Sequence, residues 1–592
     1  PVPVVQAVTL TVCASGCDHT RIRDAIDAAG TDDTISVLDA IHTEVGIAVR
    51  KSVTIQGQGI GSTIIQAQTL PDIASSRVFA IHSGVTVTIR AMTIRYGNVV
   101  AGPAQGGGIY NNGTLILRDS LVTENRAEGD AAAEPAQGGG IYNNGTLTVQ
   151  DSIIQDNLAQ GGNATSGGDG GDAYGGGISN NGTLVIQNSV IDGNNVRGGS
   201  AAGDHDAGGD VYGGGIYSNG LLTMQAGTIS DNTARAGKAG GQSGEAGYAY
   251  GGGVAHWKTG TGSVAFANST LSGNTAWGGD GEVAGSYAGN AYGGGVALFW
   301  PVASPMSFTN CTISGNIAQG GEGLGGQQDG SAEGGGLRGG SEVTLAYCTM
   351  TNNQATGSSK AGGGVYSPAG LEGGPDLESS IVAGNGPAAA AGPDLYGNVQ
   401  SSDYNLIQST SGYVLSGEAS HNLEGANPQL GPLAENGGPT ETHAFPDTSP
   451  ALNHVPSGQN GCGATVAEDQ RGMGRPQDGA CDIGSFELEK IGQLEVIKAL
   501  VPSNDPGTFD LEIDGITVKS DATDGGSTGK RTVTTGVHTV AESGGAFADL
   551  DNYNIDIECR GNDGQGGIVA SSNDPGPMPV TIYEGDDTVC TI

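Results

Sequence analysis

GGGIYNNGTLTVQDSIIQDN, Gly138 to Asn157, opens on three glycines and carries an Asn-Asn-Gly ahead of its first alternating run. Such residues interrupt strands. Yet GGGIYNNGTLILRDSLVTEN stands at Gly106 to Asn125, and triple glycines start again at Gly175, Gly213, Gly251, Gly293, Gly334 and Gly362. Each is followed 19 or 23 residues later by an Asn: Asn125, Asn157, Asn194, Asn232, Asn274, Asn316, Asn353 and Asn385. Three positions before each Asn stands an aliphatic residue or Met, as at Val122, Ile154 and Met350. Five before it stands a small one: Ser120, Ser152, Ser189, Gly227, Ser269, Cys311, Cys348 or Ser380.

Columns fixed in this way are what stacked coils produce. Segments such as TLTVQ and SIIQD have period two, so the units are strands, about three short ones per repeat. A unit that small buries no face alone and must stack on its neighbours. The reading is an all-β chain built on a right-handed parallel β-helix, with one strand spacing of about 4.8 Å between coils. The Asn column then becomes a ladder of stacked amides.

Along the connectors, from each Asn to the first glycine of the next triple, the chain advances 13, 18, 19, 19, 19, 18 and 9 positions. Floppy loops have no cause to keep one length, so an ordered ridge on one flank is expected. Several connectors end on Tyr-Gly-Gly-Gly, which makes Tyr174, Tyr212, Tyr250 and Tyr292 an aromatic column, either covering the ridge or stacking on sugar rings.

The eight cysteines form four natural pairs. Cys311 and Cys348 share a column in consecutive repeats, within the Cα range of a disulfide if coils stack. Cys13 with Cys17, Cys462 with Cys481 and Cys559 with Cys590 complete an even count without metal-site spacing, which points to disulfides and an exported protein. Lys and Arg number 23 against 62 Asp and Glu, a net charge of −39, which excludes nucleic acid as a partner. No apolar run is long enough to span a bilayer.

The repeat GGGI…SxIxxN resembles the GGA[ILV] and FxxN repeats of polymorphic outer-membrane proteins and related bacterial surface β-helices, with Ile, Leu, Val or Met where Phe would stand. The start, DHTRIRDAIDAAGTDDTISVLDAIHTEVGIAVRKSVTIQGQGIGSTIIQA, is similar to the N-terminal cap of pectin-lyase-like β-helices, and RIRDAIDAA would plug the open end as a short helix. GPDLYGNVQSSDYNLI, followed by NPQLGPLAENGGPTETHAFPDTSPALNHV and DQRGMGRPQDGACDIGSFE, resembles the choice-of-anchor Q segment of bacterial cell-surface proteins. That resemblance implies export and surface attachment. After Glu487 the texture resembles the prealbumin-like β-sandwich domains of such proteins, with Cys559 and Cys590 linking late strands. The organisation expected is a tail and cap over 1–65, repeats over 66–390, a choice-of-anchor-like end of the helix over 391–489, and a sandwich over 490–592.

Lyases, hydrolases and esterases share the pectin-lyase-like fold, but fold alone does not give function. No acidic pair recurs beside an Arg in adjacent coils, so a polysaccharide-cleaving enzyme is the lesser alternative and no catalytic residue is named. GGDGGDAYG (Gly167 to Gly175) fits one calcium-binding nonapeptide through Asp169 and Asp172, and GDHDAGGD (Gly203 to Asp210) offers Asp204, His205 and Asp206. Single copies make these weak cation candidates, and no cofactor is expected. Sequons at Asn112, Asn144, Asn163, Asn181, Asn268 and Asn310 permit glycosylation. PVPVVQAVTLTV is either a signal-peptide remnant or an apolar strand, with Pro3, Val4, Val5 and Val8 available to complete the sandwich of a second copy, whose last strand reads as incomplete. The function expected is a secreted, non-enzymatic surface rod that joins head to tail into fibres; the alternative is an adhesin for a surface or matrix glycan.

Overall fold

The structure, a computed structural model, describes residues 7–100, 102–130, 133–165, 167–257, 262–299, 305–368, 373–387, 390–477, 479–546 and 548–592. It divides into two compact units, Pro1–Gly472 with Asp482–Phe486, and Met473–Cys481 with Glu487–Ile592.

The first unit is the right-handed parallel β-helix. Equivalent residues of successive coils pair in register, as in Val122 with Ile154, Ile154 with Ile191, and Ile191 with Ile229. One repeat holds five short strands where period two shows three: Ala136–Gln137, Ile141–Asn143, Thr146–Gln150, Ile153–Gln155 and Leu158–Gln160. The extra ones, two and three residues long, flank the connector and are too short for any periodicity to show. Inward Ile, Leu and Val build a continuous aliphatic core, and a separate thin core of Ala runs beside it from Ala104 to Ala355.

The triple glycine lies where the coil is pinched between these two cores. Its first residue adopts a left-handed φ of 61° to 67° at Gly106, Gly138, Gly175, Gly213 and Gly251, which favours glycine. A Cβ on the second, Gly139 or Gly214, would run into the backbone across the coil, at Leu158 or Thr233, and into the glycine carbonyl of the next coil. A Cβ on the third would press on the side chain of the ladder Asn, 2.9 Å from Asn157 at Gly140. Glycine is therefore demanded three times for three reasons.

The Asn ladder is present and buried. Asn232 Nδ2 donates to Ile191 O at 2.8 Å and to Asn274 Oδ1 at 2.9 Å, and its Oδ1 accepts the Asn194 amide at 3.0 Å. The other rungs repeat this from Asn125 to Asn385, and Asp394 takes the next place. A second ladder, Asn111, Asn143, Asn180 and Ser218, runs parallel to it through the first Asn of each NNG.

Cys311 and Cys348 correct the expectation of a cross-coil disulfide: both are buried free thiols. Side chains at matched positions of in-register parallel strands leave side by side, so the two thiols are neighbours with no bond between the sulfurs. Each thiol instead donates two residues back, to Thr309 O at 3.3 Å and Ala346 O at 3.4 Å. Ser120, Ser152, Ser189 and Ser269 make the same bond in their coils at 2.7 Å. Cys13 bonds to Cys17 and Cys559 to Cys590, and Cys462 and Cys481 are each in a disulfide.

At the start a helix, Ile22–Ala28, closes the core with Ile22, Ala25 and Ile26. At the other end the chain completes its last coil at Leu423–Glu424 and turns back as a strap over the Ser/Thr column of one sheet. Thr270 Oγ1 donates to Glu441 O at 2.6 Å, Ser314 Oγ meets His443 Nε2 at 2.8 Å, and Thr312 Oγ1 donates to Gln470 Oε1 at 2.7 Å. Ser485 returns onto Thr349, its amide donating at 3.0 Å.

The second unit is a β-sandwich whose strands pair antiparallel but for one parallel pair. One sheet orders Arg531–Thr534, Ile491–Ile497, Asp587–Thr591, Ile557–Arg560 and Ile568–Ser572; the other orders Ile516–Ala522, Phe509–Ile513, Gly536–Gly544 and Met578–Ile582. The last strand, Asp587–Thr591, is central and paired on both sides, parallel to Ile491–Ile497 and antiparallel to Ile557–Arg560. Although the last strand reads as incomplete in the sequence, two neighbours already take up its backbone groups, so it offers no place for an added strand.

Candidate functional site: a glycine ridge with an acidic cleft

The connectors fold back on themselves as pairs of extended glycine arms. Outgoing arms pass through Gly162, Gly199, Gly237, Gly279 and Gly321, and return arms through Gly171, Gly209, Gly247, Gly289 and Gly330. The two sets zip together: Gly199 N–H donates to Gly171 O at 2.8 Å, Gly209 to Gly199 at 2.9 Å, Gly237 to Gly209 at 2.9 Å and Gly247 to Gly237 at 3.0 Å. The alternation continues from Gly279 through Gly330. A Cβ at Gly199, Gly209, Gly237 or Gly289 would strike the carbonyl of the coil before. Packed glycine backbones have no room for side chains, as at the axis of a collagen helix. The ridge is therefore ordered, as the constant connector length predicts.

Along its base Tyr174, Tyr212 and Tyr250 stack at 4.8 and 5.0 Å between centroids, and Tyr292 follows at 5.0 Å. Tyr217 and Trp257 meet the column edge-on, and Arg338 lies 4.7 Å over Tyr292. Tyr212 and Tyr250 are only 6% and 7% exposed. Tyr212 and Tyr250 are stacked on both faces, so for these two the geometry favours covering of the ridge over stacking on sugar rings. Burial pushes the Tyr217 hydroxyl up to about 12 and those of Tyr174, Tyr212 and Tyr250 further.

Beside this column a cleft of about 360 Å³ is lined by Asp169, Asp172, Asp210, Glu245 and Tyr248. Each Asp is also a brace between coils. Asp169 Oδ1 accepts the Ala207 amide at 2.8 Å, Asp172 Oδ1 that of Asp210 at 2.8 Å, and Asp210 Oδ1 that of Tyr248 at 2.6 Å. In the next coil but one Asn290 Oδ1 does the same for Ser331 at 2.7 Å, so the position asks for an acceptor and not for a charge. Burial raises both Asp172 and Asp210, the latter to about 6, against the pull of the Tyr248 amide and with the Asp172 charge adding to the rise.

The other cation candidates are similarly engaged: Asp204 Oδ1 accepts the Gln242 amide at 2.9 Å and Asp206 Oδ2 that of Gly168 at 2.5 Å. Among the described residues no three His, Cys, Asp or Glu converge as metal ligands. Of the sequons, Asn112 and Asn144 are bonded to each other at an exposed edge, Asn163 accepts the Ser200 amide, and Asn181 donates to Tyr142. Asn310 corrects the sequence reading: it is buried under the strap, donating to Asn268 and to Glu468 O, and has no open amide for a glycan. Pro3, Val4 and Val5 lie outside the described residues. Val8 is committed within its own chain, its amide donating to Asp33 and its carbonyl accepting from Thr34.

One feature escaped the sequence reading. On the opposite flank a pocket of about 480 Å³ is lined by Gln160, Asn163, Arg197, Ser200, Arg235 and Lys238, with Trp277 next in the same column. Arg235 stacks 4.6 Å from the Trp277 ring and pairs with Asp280 at 3.0 Å. One cation per coil was visible at Arg197 and Arg235, but only the five-strand coil places them in one row.

No protein family matches the chain, and no curated protein does. Solved structures similar to it include pectate lyase Pel9A, at 11% identity over 81% of this chain and 96% of that one with a TM-score of 0.33. A pectin methylesterase in complex with a hexasaccharide follows at 12% identity, 54% and 82% coverage and a TM-score of 0.24. The A-module of the Azotobacter vinelandii mannuronan C-5 epimerase AlgE4 is 13% identical over 68% and 90%, with a TM-score of 0.25. At these scores the activities of those proteins carry no argument for this one.

Proposed function

We propose that the chain is an extracellular, non-enzymatic structural rod that joins head to tail into fibres. One observation carries the reading: the polar groups of the repeat are used to hold one coil to the next. The ladder amides are buried, Asp169, Asp172, Asp204, Asp206 and Asp210 brace neighbouring backbone, and the strap covers the Ser/Thr column. The Cys13–Cys17 and Cys559–Cys590 disulfides suit an oxidising compartment, and the choice-of-anchor resemblance of 392–488 suits a cell surface. Electron microscopy of the purified chain is expected to show fibres, and incubation with polyuronates and glucans to leave their length unchanged. Monomers only would remove the assembly, and shortened polymer would remove the non-enzymatic role.

A second reading, a glycan-binding adhesin, is favoured by the Arg197–Arg235–Lys238 pocket with its Trp277 ring. Binding on a glycan array that is lost in both Arg235→Ala and Trp277→Ala would support it; an array without signal would remove it.

A further inference from the structure

The proposed head-to-tail assembly needs an acceptor, and the last strand of the sandwich is already paired on both sides. Resting on that reading, we infer that the acceptor is the open edge of strand Ile568–Ser572, and that its occupant is the segment Pro1–Gln6 of a second copy.

Among the described residues the sandwich has four edge strands. Natural sheets guard such edges with Lys, Pro, charge or bulges. Ile516–Ala522 carries Lys519 and pairs with its neighbour through register shifts. Met578–Ile582 carries Pro579, and Arg531–Thr534 opens on Arg531. Ile568–Ser572, sequence IVASS, has neither charge nor Pro. Its pairing has a bulge at Cys559 and Arg560, as that of Ile516–Ala522 has, but no further guard, and Ile568 and Val569 are 53% and 55% exposed. It is the one edge whose composition invites a partner.

The segment fits it in three respects. Pro1 and Pro3 are two residues apart, and alternate residues of a strand direct their amides to the same side. In an extended PVPVVQ the edge of Pro1, Pro3 and Val5 lacks the Pro3 donor, while Val2, Val4 and Gln6 would donate from the other, so the second edge is the better one to add to a sheet. Six extended residues reach about 20 Å, enough for a five-residue edge of about 17 Å. Neither partner carries a charged side chain, so in a chain of net charge −39 their side chains add no local repulsion between copies. Main-chain bonds along the edge would supply affinity, with Val4 and Val5 beside Ile568 and Val569. A contact between two different surfaces does not close on itself and makes filaments.

Full-length Val4→Asp and Val569→Lys chains, each verified as folded by circular dichroism, test this by light scattering and microscopy. Each is expected to stay monomeric alone, and an equimolar mixture to give dimers, because one intact donor then meets one intact acceptor. Fibres from Val569→Lys, with Val4→Asp monomeric, would overturn the acceptor while leaving head-to-tail assembly standing. A wild-type chain that never assembles would overturn both. A mixture that stays monomeric would show the segment docking within its own chain and would overturn the intermolecular contact.

Discussion

The interior of the coil and the glycine ridge are both stacks with a one-coil repeat, but they are made from opposite materials. The interior is built of side chains: Asn ladders, Ser hydroxyls and aliphatic columns, each rung supplying a group that its neighbour lacks. The ridge is built of backbone, with arms so close that a Cβ on Gly199, Gly209 or Gly237 has nowhere to go. A substitution in the first region subtracts; in the second it adds. Adding to a backbone lattice moves two coils, whereas subtracting from a ladder leaves an unsatisfied amide in place.

That contrast can be broken at four points. Gly237→Ala is expected to cost most, roughly 3–5 kcal/mol, because both the Gly199 carbonyl and the Gly209 amide lie in its path. Urea unfolding followed by tyrosine fluorescence reads it, and an unchanged midpoint would contradict the packed ridge. Asn232→Leu leaves the Asn194 amide buried without an acceptor and takes one of the bonds at the Ile191 carbonyl, about 2–3 kcal/mol by the same measurement.

Asp210→Asn tests whether the acidic cleft is a brace. The folded carboxyl titrates at about 6 against 3.8 for the free group, so the folded state binds the extra proton between those values. Its destabilising contribution is absent below pH 3.8, grows as pH rises through the window and is complete above about 6. Asparagine keeps the acceptor, as Asn290 does, and is expected to add about 2 kcal/mol at pH 8 and almost nothing at pH 4. Equal effects at both pH values would assign the cleft another role. The smallest change is expected of Cys311→Ser with Cys348→Ser, within about 1 kcal/mol, since serine makes the same bond in four other coils. A loss as large as that of a disulfide would show the thiols bonded after all.

The same contrast explains what the sequence disclosed. Columns repeat because every rung must match its neighbour, so the β-helix, the Asn ladder and the ordered connectors were legible from spacing alone. The pinch that demands three glycines was not, because it depends on which backbone lies across the coil. Nor was the strap over Thr270 and Thr312, a contact between residues that share no pattern, nor the thiol state of Cys311 and Cys348 and the row of Arg197 and Arg235, which depend on how the coils stack. In the sandwich nothing repeats: its core around Leu494, Leu511 and Val540 and its buried Lys498–Glu542 pair at 2.6 Å have no second copy to reveal them. There, class and disulfide were readable but strand order was not.

Hydrogen exchange followed by mass spectrometry on the connector peptides 195–213 and 233–251 asks the central question directly. The account predicts protection of the amides of Gly199, Gly209, Gly237 and Gly247 comparable to that of the strands Thr183–Gln187 and Leu221–Gln225. Exchange of these amides at the rate of an unstructured chain would contradict it.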